Sequence, residues 1–249
     1  MAGHSHWANI SRKKAIIDNK RGKLWSKLAK NIMSAARSGG GDPDANLRLR
    51  YAINDAKAVS MPKDNIERAI KKGTGELEGG SLEEVLYEGY GPGGVAILCE
   101  ILTDNRNRTA GEVRNIFSSC GGSLGATGCV AWMFDRKAVF GVATGKIDED
   151  ALMELALEAG AEDVKQSDDE YEVICDPAAF SAVAEALEQK GVETTRREIV
   201  RIPTSTVDLD AENGRKVLKL MEKLDDQDDV QAVASNFNIT EEAMAEMEM

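Results

Sequence analysis

Apolar positions are sparse and unordered over residues 1–22, which read as a polar arm rather than a core element. From Leu24 the pattern changes. Leu24, Leu28, Ile32 and Ala35/Ala36 recur at three or four residues, the stripe of an amphipathic helix. Lys23, Lys27 and Lys30 repeat at i, i+4, i+7 and so share another face of the same helix. The run Ser38-Gly39-Gly40-Gly41-Asp42-Pro43 ends it and starts the next, because glycine frees the backbone and proline fits a first helical turn. A second helix extends to about Val59 with Leu49, Ile53 and Ala56 inward, and Met61-Pro62 breaks it. A third carries Ile66, Ala69 and Ile70 and stops at Gly73 behind Lys71 and Lys72, cations suited to a helix C-terminus.

After a Gly- and Glu-rich linker at 74–80 the period shortens. Residues 85–90 and 95–102 read as strands joined through Gly91-Pro92-Gly93-Gly94, a β-hairpin. Thr109-Ala110-Gly111-Glu112 is a capping box that should open a helix, and residues 129–134 read as a further buried strand. Residues 136–203 then alternate as β-α-β-β-α-β, the order of a ferredoxin-like sandwich. A helix near 210–224 and a strand near 230–237 return the chain to the first sheet, and the last ten residues are expected to fray. The predicted fold is α+β in three domains: a basic arm with a helical bundle over 1–80, an α/β domain from 81–135 with 204–240, and an inserted α/β domain of ferredoxin-like type over 136–203.

With 249 residues and 42% hydrophobic content, the chain can bury more than one core. No stretch approaches the roughly 18 apolar residues that span a bilayer, and residues 1–14 lack the apolar region of a secretory signal, so a cytoplasmic location without membrane partners is expected. Cys99, Cys120, Cys129 and Cys175 show no C-x-x-C spacing and read as reduced core thiols. The net charge of −12 conceals an asymmetry. Residues 1–72 hold 16 Lys and Arg against 6 Asp and Glu, a balance of +10, while the remaining 177 hold 15 against 37, a balance of −22. A basic head on an acidic body is the footprint of a protein that grips phosphates at one end.

The candidate chemistry is therefore binding. The arm supplies Arg12, Lys13, Lys14, Lys20 and Arg21, and the first helix adds Lys23, Lys27, Lys30 and Arg37. Trp7 can stack on an unpaired base or pack on a partner, and Trp25, beside Leu24 and Leu28, suits packing. Arg106 and Arg108, just before a helix N-terminus, form a second small cluster that favours a phosphate or serves an ordinary capped loop. His4 and His6 are the only histidines, so no Ser/His/Asp or Cys/His set can form beyond residue 6. Ala2-Gly3-His4 could wrap Cu(II) or Ni(II) once Met1 is removed, but such chemistry commonly arises incidentally, and no metal or cofactor is assigned. The G-x-G-x-x-G at 89–94 lacks the helix a dinucleotide fingerprint requires and reads as a turn. Asp208, Asp210 and Glu212 fail the calcium-loop pattern and suit a helix start, while Asp225, Asp226, Asp228 and Asp229 read as a solvated turn. Catalysis has no candidate.

The opening Gly3-His4-Ser5-His6-Trp7-Ala8-Asn9-Ile10 with Lys13-Lys14 resembles the signature of the YebC/PmpR family, with His6 where lysine is common. The likeness continues through the stretches at 61–70 (MPKDNIERAI), 87–94 (YEGYGPGG), 103–109 (TDNRNRT) and 121–125 (GGSLG). The resemblance implies a cytosolic protein with a helical N-terminal domain and two α/β domains. It implies two kinds of function: a DNA-binding transcriptional regulator, or, as in the related mitochondrial translational activator of cytochrome c oxidase, a ribosome-associated translation factor that binds ribosomal RNA and relieves stalling at stretches such as polyproline. The expected partner is nucleic acid, DNA first and ribosomal RNA with the ribosome as the alternative, bound through His4, His6, Trp7, the basic residues named above, Arg106 and Arg108. The protein is expected to act as a monomer and not as an enzyme.

Overall fold

The computed structural model describes residues 21–78, 82–167 and 169–248. Three helices come first, α1 (Arg21–Gly39), α2 (Leu47–Ala58) and α3 (Lys63–Gly73). They lead into β1 (Glu83–Tyr90), β2 (Ala96–Thr103), α4 (Arg106–Ser119) and the two-residue β3 (Ser123–Leu124). Next come β4 (Phe134–Ala143), α5 (Glu149–Glu158), β5 (Ala161–Ser167), β6 (Glu170–Cys175), α6 (Phe180–Gln189) and β7 (Thr194–Pro203). The chain closes with β8 (Val207–Leu209), α7 (Ala211–Asp225), β9 (Val230–Ser235), β10 (Phe237–Ile239) and α8 (Glu241–Glu248). Residues 132–205 form one compact unit, and the described residues on either side of them form the other.

In the latter, α1, α2 and α3 close around Ile32, Ala35, Ala36, Leu49, Ile53, Ala56, Met61, Ile66 and Ala69, the positions at helical spacing. Trp25 packs on this core and its indole N–H donates to the Val59 carbonyl at 3.3 Å, whereas Leu24 is partly exposed. Asn46 serves two helices at once. Its amide donates to the carbonyls of Ala35 and Gly40 at the end of α1, and its side-chain oxygen caps α2 by accepting from the Leu49 N–H. A Cβ on Gly73 would lie 2.5 Å from the Met33 carbonyl oxygen, so only glycine lets α3 end this close to α1.

The first sheet is antiparallel in the order β3-β1-β2-β9. Its hairpin turns at Gly91, whose N–H donates to the Val95 carbonyl at 2.8 Å, and Gly93 takes φ 74°; the glycine-rich motif is a turn. Two expectations fail here. Residues 129–133 are a loop and a 3-10 turn, not a strand, because the Glu88 carboxylate accepts from Val130 N–H at 2.8 Å and Ala131 N–H at 2.7 Å, as well as from the preceding Gly128 N–H at 2.5 Å. A segment whose amides point at one carboxylate cannot also donate to a ladder. Helix α4 starts three residues before the supposed capping box, at Arg106, because Asn105 caps it by accepting from the Arg108 N–H at 3.1 Å. The chain's end also differs from expectation. β8 and β10 pair in parallel, and residues 241–248 are helical with Ala243 buried.

The unit of residues 132–205 has the sheet order β5-β6-β4-β7, all antiparallel, which is the ferredoxin-like arrangement predicted for a β-α-β-β-α-β chain. Phe140 on β4 meets Phe180 at the start of α6 with ring centroids 4.9 Å apart, so Ala138, Phe140 and Val142 face the helices. No helix of the described residues is long and apolar enough to cross a membrane.

Candidate nucleic-acid interface

The lysine stripe of α1 forms as its spacing predicts, but its partner lies within the chain. Lys23 Nζ donates to the Asp226 carbonyl at 3.0 Å. Lys27 Nζ donates to the Asp225 carbonyl at 2.5 Å and to its carboxylate at 3.2 Å. Lys30 Nζ donates to the Asp228 carbonyl at 2.8 Å and to the Asp229 carboxylate at 2.5 Å. These acceptors are the C-terminal end of α7 and the turn that follows it. The last carbonyls of a helix lack intrahelical donors and carry the negative end of its dipole, so three ammonium groups in register suit them. The Lys27 and Lys30 side chains are consequently only 15% and 16% exposed.

Asp229, read from sequence as one acid of a solvated turn, is instead 3% exposed. Besides Lys30, its carboxylate takes Arg108 Nη2 at 2.9 Å and the Thr109 hydroxyl at 2.6 Å, with the Thr103 hydroxyl 3.1 Å away. Burial alone would raise its pKa; the bonds from Lys30, Thr109 and Arg108 outweigh that and hold it well below the usual carboxylate range. Arg108 also pairs with Asp104 at 3.0 Å, so this predicted phosphate ligand is engaged by two carboxylates. Arg106 sits beside Tyr87, whose hydroxyl donates to the Arg106 carbonyl at 3.0 Å. Arg37 Nη1 donates to the Leu82 carbonyl at 3.0 Å. Arg21 begins α1, and His4, His6, Trp7, Arg12, Lys13, Lys14 and Lys20 lie outside the described residues.

Four cations in the helical segment point elsewhere. Lys57, Arg68, Lys71 and Lys72 are exposed and form no ion pair with any described residue. Arg68, Lys71 and Lys72 lie on the side of α3 opposite Ile66, Ala69 and Ile70. The amphipathic period of α3 alone sets these three on its outer face.

The β4–β7 sheet offers a contrast. Modules of the same topology that bind RNA stack bases on aromatics of the sheet face away from the helices. Here that face of the two central strands carries Val139, Gly141, Glu172 and Ile174, with Arg196 and Glu198 opposite them on β7. It is a carboxylate-rich face without an aromatic at those positions, and phosphate is repelled by it. The thiols are likewise quiet, since burial pushes Cys99 up to about 12 and Cys175 up to about 11.

A family described as the TACO1/YebC protein N-terminal domain matches residues 5–76, and one described as the TACO1/YebC second and third domain matches residues 82–237. The chain is 56% identical over 247 residues to a "Probable transcriptional regulatory protein" of Geobacter sulfurreducens, covering 99% of this chain and all of that one. A protein of the same name from Rhodopirellula baltica is also 56% identical over 247 residues, with the same coverage. Among solved structures, a conserved hypothetical protein from Aquifex aeolicus superposes with a TM-score of 0.82 at 49% identity, covering 91% of this chain and 94% of that one.

Proposed function

The chain belongs to the TACO1/YebC family, and from that premise we propose that it regulates transcription by binding DNA through its basic N-terminal segment. The observation that carries this reading is the outward cation set Lys57, Arg68, Lys71 and Lys72, unpaired with any described residue within a segment of net charge +10. The arm residues Arg12, Lys13, Lys14 and Lys20 add cations to the same stretch of sequence, with His4, His6 and Trp7 among them. The regulatory name of the relatives supports the class of activity. Contacts of this kind are made to phosphates, so they position the protein on a duplex, give steep salt dependence and read sequence weakly. The acidic remainder of the chain is repelled from further phosphate and faces protein or solvent. No step of catalysis belongs to this activity.

Crosslinking in growing cells, followed by sequencing of both the DNA and the RNA recovered with the protein, tests the proposal. Discrete enrichment at promoters is expected, and charge reversal of Arg68, Lys71 and Lys72 should remove it. Recovery of one patch of ribosomal RNA without promoter peaks would overturn the DNA reading in favour of a role in translation.

A further inference from the structure

We infer that the acidic turn at residues 225–229 is an internal stand-in for phosphate, which releases Lys23 and Lys27 when a polyanion competes for them and keeps Lys30. The inference rests on the nucleic-acid reading for the identity of the competitor, but the clasp itself stands on geometry. The three lysines meet carbonyl and carboxylate oxygens of one helix end and the turn after it, anionic oxygen acceptors like those that a phosphate backbone offers.

The clasp is graded. Its outer rungs end on weaker acceptors: the Asp225 carboxylate that Lys27 meets is 67% accessible, and Lys23 reaches only a backbone carbonyl. Exposed contacts of this kind contribute little and weaken with salt. Its inner rung is different. Lys30 meets a carboxylate only 4% exposed, which Arg108, Thr103 and Thr109 hold in place. A lysine side chain can swing on its flexible stem without moving the helix. Lys23 and Lys27 can therefore change partner while α1 stays anchored through Lys30. A second group of cations then joins the outward set only when a polyanion is present, and at rest the acidic turn keeps them from weak anions.

Two measurements on the full chain test this. The first is amine acylation read by mass spectrometry, with no nucleic acid present. Lys27 and Lys30 should react more slowly than Lys57, Lys71 and Lys72, and Asp225→Asn should speed Lys27 but not Lys30. Equal reactivity of Lys27 and Lys71 in the unaltered protein would overturn the clasp outright. The second is anisotropy of a short fluorescent DNA duplex across a salt series. Asp225→Asn should bind about threefold tighter than Glu212→Gln, which removes the same charge from the other end of α7. Replacing Lys23 and Lys27 by Met should weaken binding and reduce the salt slope by about 1.8, that is, two phosphate contacts. If Asp225→Asn matches Glu212→Gln and the Lys23/Lys27 variant binds like the parent, competition by phosphate is refuted. If the parent protein binds neither duplex nor RNA, the nucleic-acid reading fails instead, and the acylation result decides the clasp.

Discussion

The two compact units each contain a partly buried charge cluster, built in opposite ways. In the first, one carboxylate, Asp229, is surrounded by donors from three other parts of the chain: Lys30 on α1, Thr103 at the end of β2, and Arg108 and Thr109 on α4. In the second, one guanidinium, Arg196, meets three carboxylates. Its Nε donates to Glu170 at 3.1 Å, its Nη1 to Glu198 at 2.7 Å and its Nη2 to Glu172. The first cluster has more cations than anions and ties segments some 200 residues apart. The second has more anions than cations and stays within one sheet, where β6 and β7 meet across β4. A buried ion whose donors converge from several elements acts as a joint between them, and losing it exposes every donor at once. A charged group shared along one sheet has the ladder beneath it to hold the same geometry.

The largest effect should therefore come from Asp229. Asp229→Ala leaves Lys30 only the Asp228 carbonyl and Arg108 only Asp104, and should cost about 3 kcal/mol in urea unfolding at neutral pH, the lower end for a broken buried pair because Arg108 is half-exposed. Its pH dependence has a definite sign. The folded carboxyl is held below the ordinary aspartate value of 3.8, so on acidification the unfolded chain takes up the proton first. The stability from Asp229 is present above pH 3.8 and drains away as pH falls below it, and Asp229→Ala should flatten that acid limb. An unchanged acid limb would show that the joint lies elsewhere.

Glu88 should come next. Three backbone donors share its two oxygens, and burial, which alone would raise its pKa, is outweighed by those bonds so that the carboxyl is held low. Glu88→Gln turns one acceptor into a donor facing an N–H, at a cost of about 2 kcal/mol. Freed amides at 128–131 should also speed alkylation of Cys129 while leaving Cys175, buried in the other unit, unaffected. Equal acceleration at both thiols would mean global unfolding rather than release of one loop.

Periodic features of the fold were legible in the sequence, and features made by long-range pairing were not. The stripe of Ile32, Ala35, Leu49 and Ile53 and the β-α-β-β-α-β order follow from spacing that each segment carries by itself. The strand assigned to 129–134 failed because an apolar run does not reveal that its amides belong to Glu88, some forty residues earlier. The same limit governed the site. Spacing put Lys23, Lys27 and Lys30 on one face, but only folding brings Asp225–Asp229 against it, so a stripe assigned to phosphate meets carboxylate. The charge asymmetry that pointed to nucleic acid is also what lets the two parts of the chain pair with each other. In the sequence, Lys71 and Lys72 suit a helix C-terminus and Lys57 and Arg68 carry no signal of their own, for a simpler reason: exposed cations on short helices look like any solvated face until their neighbours are known.

Arg196 offers a sharper test of the comparison. Arg196→Met removes the guanidinium from Glu170, to which the Thr195 hydroxyl still donates at 2.9 Å, and should cost about 2 kcal/mol. Adding Glu172→Met should recover part of that loss, because the second change removes a carboxylate whose cation has gone. No such recovery is expected at Asp229, where the orphaned groups are cations from separate elements. Additive losses in the Arg196/Glu172 cycle would erase the distinction between the two clusters.

The smallest effect is the most telling about how the joint is graded. Lys27→Met removes a contact to a carboxylate that is two-thirds exposed, and should change stability by no more than about 0.5 kcal/mol, with even that difference vanishing in high salt. Lys30→Met, three residues further along the same helix face, removes a donor to a buried carboxylate and should cost about 2 kcal/mol, largely retained in salt. The two substitutions delete the same side chain from the same helix, so their difference isolates the environment of the acceptor. If both lysines cost equally, the clasp is uniform, and Lys23 and Lys27 are no freer than Lys30 to leave the acidic turn. If only Lys30 is costly, α1 is pinned at one point, and the outer lysines are held weakly enough for a stronger anion to take them.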